Sequence, residues 1–311
     1  MARAYFALQA VAGALWWFAV FTVPVVREAT LGTLDPVAMA ILDIPLFVVA
    51  SAIAATGRRF AVFVVTIWTL LVTVMLALFA AVTSEAGWGA VLMAAASAAS
   101  VLAGIVMLRG SVPTHWLMVG PFRIRPAAAG QPVRRHVGAT ALQIVVFWGV
   151  ALGIVPAVIV WFETRWMLHV PAPAGARIAG AVLFAAASVV GLWSAAVMST
   201  AGDGTPLPIA TARRLVIRGP YRFVRNPMAL AGISQGVAVG LMLSSWLVVV
   251  YAVCGSVVWD TAIRPHEERD LEDRFGAEFR RYRAQVRCWM PRLTPAALDQ
   301  SAASPAGASA E

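Results

Sequence analysis

Apolar residues in this chain gather into long runs separated by short, strongly basic segments, a pattern that predicts helices crossing a bilayer. A hydrocarbon core about 30 Å thick takes about 20 apolar residues per helix. On that rule eight spans fall at roughly 5–26, 36–56, 60–82, 87–108, 141–162, 176–198, 228–243 and 246–263. Residues 4–26 follow Arg3 and stay apolar too long for a signal-peptide core, so they read as the first span. Only Ser244-Ser245 separates the seventh and eighth spans, which predicts a tight antiparallel hairpin. Trp246 and Trp259, near the ends of the eighth, match an interfacial aromatic belt. Beyond it, Leu271, Phe275, Phe279 and Tyr282 repeat at i, i+4, i+8 and i+11, predicting an amphipathic helix within 266–283. The fold class expected is therefore all-α: a polytopic membrane bundle of about eight helices, with a closing helical hairpin and a cytosolic amphipathic C-terminal helix.

Composition agrees. Hydrophobic residues make up 60% of the 311 and charged residues 13%, against about 45–50% and about 25% in soluble domains. The 24 basic residues are all Arg. With both termini in the cytoplasm, 21 of them fall on the cytoplasmic side and only Arg27, Arg165 and Arg177 on the other, the asymmetry expected of a correctly counted topology. This places the chain in the cell's inner, cytoplasmic membrane with a cytosolic active face. The formal charge of +9 belongs to loops beside spans, where it meets anionic lipid. No module mixing basic and aromatic readers is visible, so nucleic acid is excluded as a partner. Cys254 and Cys288, one in a span and one in the tail, exclude a disulfide framework. The four His, at 115, 136, 169 and 266, form no paired ligand spacing, so no metal is expected.

The expected organisation is a four-helix membrane module of unknown role at 1–110, a basic cytosolic loop at 111–140, a functional membrane core at 141–293, and an Ala/Ser/Pro-rich disordered tail at 294–311. Gly120-Pro121-Phe122-Arg123 echoes Gly219-Pro220-Tyr221-Arg222; a duplication of four spans and a generic basic interfacial turn both account for the echo.

Candidate chemistry concentrates after the sixth span. Gly202-Asp203-Gly204 is a sharp turn that either ends a helix or lets backbone approach a ligand. It is not a dinucleotide fingerprint, since no strand precedes it and no third Gly follows. Within the basic run 213–227, Arg222, Arg225 and Asn226 precede Pro227, which suits the first turn of the seventh helix. Asn226 is then a natural N-cap. Backbone N–H groups there, with Arg225, suit a carboxylate, although anchoring to anionic lipid explains the same arginines. Glu267-Glu268 follow the eighth span and suit ribose hydroxyls, a cationic ligand, or neighbouring Arg. Asp43 and Asp260 lie in or at the edge of spans, where carboxylates are costly and often functional; capping or a helix–helix hydrogen bond is the plainer role for each.

Taken in order, Gly202-Asp203-Gly204, Gly219-Pro220-Tyr221-Arg222-Phe223-Val224-Arg225-Asn226-Pro227-Met228, Glu267-Glu268, Phe275-Gly276, Tyr282 and Trp289-Met290-Pro291 resemble the integral-membrane methyltransferases typified by isoprenylcysteine carboxyl methyltransferase and the phospholipid methyltransferases. The resemblance covers about the last half of the chain. It implies S-adenosylmethionine bound at the cytosolic mouth of the hairpin without a Rossmann domain. It also implies that Gly202, Gly204, Tyr221, Arg222, Arg225, Asn226, Pro227, Glu267 and Glu268 surround the cofactor, with Arg225, Asn226, Glu267 and Glu268 as the catalytic set. Two positions depart from the family pattern. Asn226 stands where His is usual, and Arg287-Cys288 stands where Pro-Arg usually precedes Trp; Arg287 is one residue away from the family's Arg.

Methyl transfer from a sulfonium is an in-line displacement in which positive charge disappears, so positioning and water exclusion do most of the work. A carboxylate acceptor needs no base, whereas an amine must lose a proton. Glu267, Glu268, His266 and Asp260 are the base candidates. The expected acceptor is lipidic or small and apolar, entering laterally from the bilayer while the cofactor enters from the cytosol. The rival expectations are a non-catalytic lipid-binding or sensor protein on the same fold, and a transporter. Spans broken by Gly or Pro at matching positions in two halves, which would mark a transporter, are missing from the sequence.

Overall fold

The computed structural model describes residues 1–117, 124, 132–205 and 211–296. They are helical, and among them there is no β-strand. The chain divides into two compact units, Met1–Pro113 with Trp161–His169, and Thr114–Val160 with Val170–Glu311. Among the described residues seven helices are long and apolar enough to cross a membrane, and the apolar Pro227–Leu243 is a shorter eighth. The polytopic all-helical class expected from the apolar runs is thus what the structure shows.

The first unit begins with α1 (Ala2–Thr22), α2 (Pro24–Leu31), α3 (Pro36–Ala55), α4 (Arg59–Thr83) and α5 (Gly87–Arg109). Pro24 and Pro36 open their helices in the first turn, where a missing N–H costs nothing. The Asp35 carboxylate accepts from the Ala38 N–H at 2.8 Å and caps α3. Pro45 cannot donate within α3, and the helix loosens there into a π turn over Ile44–Val49. Phe6, Phe47, Ala54, Val62 and Val65 form the core of this unit.

Several of its buried polar groups satisfy one another. Trp17 Nε1 donates to Asp43 Oδ2 at 2.8 Å, and Trp68 Nε1 donates to Oδ1 at 2.7 Å. Asp43 is therefore a helix–helix fastener. Gln9 Nε2 donates to Ser51 Oγ at 3.1 Å and Gln9 Oε1 accepts from Ser100 Oγ at 2.9 Å. Such side-chain bonds hold membrane helices together where no hydrophobic gradient exists between helix and lipid.

The second unit contains most of α6 (Val133–Arg165, loosened into a π turn at Trp148–Ile154), whose end from Trp161 belongs to the first unit. It also holds α7 (Ala176–Ala201), α8 (Pro227–Leu243) and α9 (Trp246–Gln285). A side chain on Gly180 would meet the Ala238 carbonyl at 2.8 Å, so α7 and α8 approach with backbone nearly in contact. The α8–α9 hairpin turns at Ser244 (φ 54°), and Ser245 Oγ caps α9 by accepting from the Val248 N–H at 3.2 Å. The hairpin read from Ser244-Ser245 is present.

The C-terminal helix, in contrast, is not separate from the eighth span. It continues α9 without interruption through a π turn at Trp259–Ile263. The helical path breaks only at Gly276 (φ 50°, ψ −120°), after which the chain turns so that Phe279, Tyr282 and Val286 pack with Ile217 and Ala296. Positive φ is a conformation glycine adopts freely. The Gly120–Arg123 echo, part of the basic loop and residues 297–311 of the tail lie outside the described residues.

Candidate functional site

Three stretches meet where the hairpin ends: residues 219–227 before α8, residues 259–268 of α9, and residues 286–296, here called the strap. Gly219–Arg222 forms a 3₁₀ turn in which Pro220 and Tyr221 are buried, and Pro227 is the buried first residue of α8. The strap runs back along 222–225. Arg225 N–H donates to the Arg287 carbonyl at 3.0 Å, Arg292 N–H to that of Phe223 at 2.9 Å, and Ala296 N–H to that of Arg222 at 3.0 Å. Arg222 Nε returns a bond to the Ala296 carbonyl at 3.1 Å. Tyr282 Oη donates to the Tyr221 carbonyl at 2.7 Å, and burial pushes both phenols well above their usual range.

An ionic network occupies the centre. Arg225 Nη1 lies 2.9 Å from Glu268 Oε1, with the two side chains only 12% and 17% exposed. Arg264 Nη1 reaches the same oxygen at 3.3 Å, and its Nε lies 2.8 Å from Asp260 Oδ1 in an ion pair without hydrogen-bond alignment. Trp289 Nε1 donates to that Asp260 oxygen at 2.7 Å, and its ring stands edge-on to Trp259 at 5.3 Å. Two arginines and two carboxylates at this depth compensate one another, which is what partly buried charge requires.

Two groups in this region are left over. The Arg225 Nε–H is buried and has no acceptor among the described residues. Glu267 is partly buried and makes no hydrogen bond or ion pair among them. Glu267 lies past the apolar stretch of α9. Burial, then the charges of Glu268 and Asp270, raise its pKa from 4.5 to about 7. Its neighbour His266 meets Thr114 Oγ1 at 3.0 Å through Nε2, and burial with nearby Arg269 and His115 lowers its pKa. Of the four base candidates, Glu268 and Asp260 are held by arginine and His266 by threonine.

Some expected roles change. Asn226 is the residue before α8, but its side chain does not cap the helix; Nδ2 donates to Cys288 Sγ at 3.3 Å instead. Burial raises the Cys288 thiol. Gly202 and Gly204 are tied to residues 211–214 rather than to the ionic network. The Gly202 carbonyl accepts from the Arg213 N–H at 2.7 Å, and a side chain on Gly204 would meet the Ala212 Cα at 2.6 Å. Close packing of that loop alone calls for glycine. Arg264 is the residue the sequence reading passed over, although Asp260, Arg264 and Glu268 are spaced i, i+4, i+8.

The fold and site define a polytopic helical membrane protein with an ionic cluster at one end of its hairpin. Residues 176–278, running from α7 into α9 and enclosing the Arg225–Glu268–Arg264–Asp260 network, match the family model of the phospholipid methyltransferases. The C-terminal half therefore agrees with the membrane methyltransferases its motifs resemble. No curated protein and no solved structure matched the chain.

Proposed function

We propose that the chain is an integral-membrane, S-adenosylmethionine-dependent methyltransferase that acts on a lipidic or small apolar acceptor, with its site at the cytosolic mouth of the hairpin. One observation carries this reading: the segment matching a methyltransferase family contains a compensated ionic network beside which the Arg225 Nε–H and the Glu267 carboxylate stay unpaired among the described residues. The spare groups fit the cofactor's charges. Arg225, with Nε–H unused, suits its carboxylate, and Glu267 suits its ammonium or ribose hydroxyls. When bound, S-adenosylmethionine supplies an electrophilic methyl on a sulfonium.

Arg225 and Asn226 orient the methionine portion. Glu268 acts through Arg225, which it holds in place from within the protein. Tyr221, Arg222 and Pro227 shape the turn that presents Arg225, and Gly202 and Gly204 let the neighbouring loop pack. Glu267, titrating near neutrality, suits an acceptor that must give up a proton as the new bond to carbon forms, the proton passing to its carboxylate. An acceptor that is already anionic leaves Glu267 with binding alone.

A second reading, a non-catalytic lipid-binding protein on the same fold, has one observation in its favour. The residue standing where the family usually has His is an amide already engaged by Cys288. Calorimetric titration of S-adenosylhomocysteine into the detergent-purified protein, wild type beside Glu267→Ala and Glu268→Ala, separates the two readings. Binding lost in the variants, with labelled methyl passing into membrane extracts, supports the enzyme; a folded wild type that does not bind removes it.

A further inference from the structure

The strap also lines a concave feature. A cleft of about 490 Å³ is lined by Gln285, Arg287, Met290, Arg292, Leu293 and Thr294, with no acidic residue in its lining. Neither arginine has a carboxylate partner among the described residues. Arg287 Nη1 only approaches Met290 Sδ at 3.7 Å, and Arg292 Nη1 donates to the Gln285 carbonyl at 2.7 Å. Beside them Met290 is 64% exposed and Leu293 fully so.

The cleft's depth follows from the strap's moorings. Arg287 and Arg292 are bonded through their backbones to Arg225 and Phe223, a few residues before Pro227 opens α8. Trp289, between them, is bonded to Asp260 and set edge-on to Trp259 at the end of the apolar stretch of α9. Both moorings lie at ends of apolar stretches, which for helices crossing a bilayer is the headgroup level. Aromatic and basic side chains concentrate there, and apolar ones can enter the acyl boundary.

We infer that this cleft docks the phosphodiester headgroup of an anionic membrane phospholipid. Two guanidinium groups without counter-ions match a phosphate, which arginine binds through paired N–H donors. Met290 and Leu293 offer apolar surface to the adjoining chain. A zwitterionic headgroup would bring an ammonium for which the lining has no carboxylate. The inference rests on the membrane placement of the strap and not on methyl transfer, so either can fail without the other.

The test is calorimetric titration of soluble short-chain phosphatidylglycerol into the full chain in detergent. Short-chain phosphatidylcholine and inorganic phosphate are titrated alongside. Saturable binding of phosphatidylglycerol is expected, at least tenfold tighter than either of the others. The exposed substitution Arg287→Gln should weaken it severalfold, and Arg287→Gln with Arg292→Gln more than tenfold. Met290→Ser with Leu293→Ser should weaken phosphatidylglycerol binding and leave phosphate unchanged. Arg134→Gln with Arg135→Gln, on another basic segment, should have no effect. Equal affinity for the two lipids overturns the inference. Undiminished binding in the double arginine variant does so too, as does an equal loss in the Arg134/Arg135 variant.

Discussion

Replacing Glu268 with Gln removes the anion on which Arg225 and Arg264 converge, and the structure sets the size of the effect. Breaking a fully buried ion pair by removing one partner costs about 3–5 kcal/mol, because the surviving charge stays desolvated. Here the Arg225 and Glu268 side chains keep 12% and 17% of their exposure, and Arg264 retains Asp260. The expected cost is therefore nearer 2 kcal/mol, which at about 2–4 °C per kcal/mol for a domain of this size lowers Tm by about 4–8 °C. Arg225→Met should cost less, since Glu268 then still has Arg264 at 3.3 Å. Combining Arg225→Met with Glu268→Gln should cost clearly less than the two single changes added together, because Arg225→Met removes the charge that Glu268→Gln by itself leaves unpaired. The assay is thermal unfolding of the four proteins in one detergent at one pH, with S-adenosylhomocysteine affinity measured in parallel. Additivity within about 0.5 kcal/mol would show that the two groups are not coupled and would refute the network as described.

Glu267 makes a pH prediction of opposite sign to the usual carboxylate. Its folded pKa of about 7 stands above the value of 4.5 for a free side chain, so between those values the folded state holds more protons. Stability should therefore fall as pH rises from about 4.5 to 7 and level off above; Glu267→Gln should flatten that part of a Tm-against-pH curve, and an unchanged curve would remove Glu267 as its source. Asp43→Asn leaves a single acceptor for two indole donors, so Trp17 or Trp68 loses its partner. A cost of about 1–3 kcal/mol is expected, read as a lower Tm with the S-adenosylhomocysteine affinity unchanged. Gly204→Ala drives a methyl into the Ala212 backbone and should cost about 1–3 kcal/mol; retention of wild-type Tm would show that the loop can yield.

Fold and site were legible in the sequence to different depths, and the difference follows from the range of the forces involved. A span needs only local apolarity, so all the apolar runs became helices, and the hairpin followed from a linker of two serines too short for anything else. The span and the amphipathic helix after it were both legible, but not that they form one helix, because apolarity stops at 263 while backbone hydrogen bonding does not. Helix α9 runs on past that point with Asp260, Arg264 and Glu268 stacked on one face. Once that continuity is granted, Arg264 is readable from spacing alone. Contacts made by the returning strap were not readable. Trp289 reaches Asp260 across 29 residues and Asn226 reaches Cys288 across 62, and nothing local in Asn226 says that it will forgo capping for a thiol. Asp43 likewise waited on Trp17 and Trp68, on two other helices. The consequence for chemistry is specific. From sequence, Glu267, Glu268, His266 and Asp260 are interchangeable candidates for taking a proton. Partners separate them: Glu268 and Asp260 are engaged by arginine and His266 by threonine, whereas a desolvated carboxylate without a partner has its proton affinity raised into the useful range. Glu267 alone of the four meets that condition, so a pH–rate profile that loses its acidic limb in Glu267→Gln and keeps it in Asp260→Asn would identify the base, and the reverse result would move the role to Asp260.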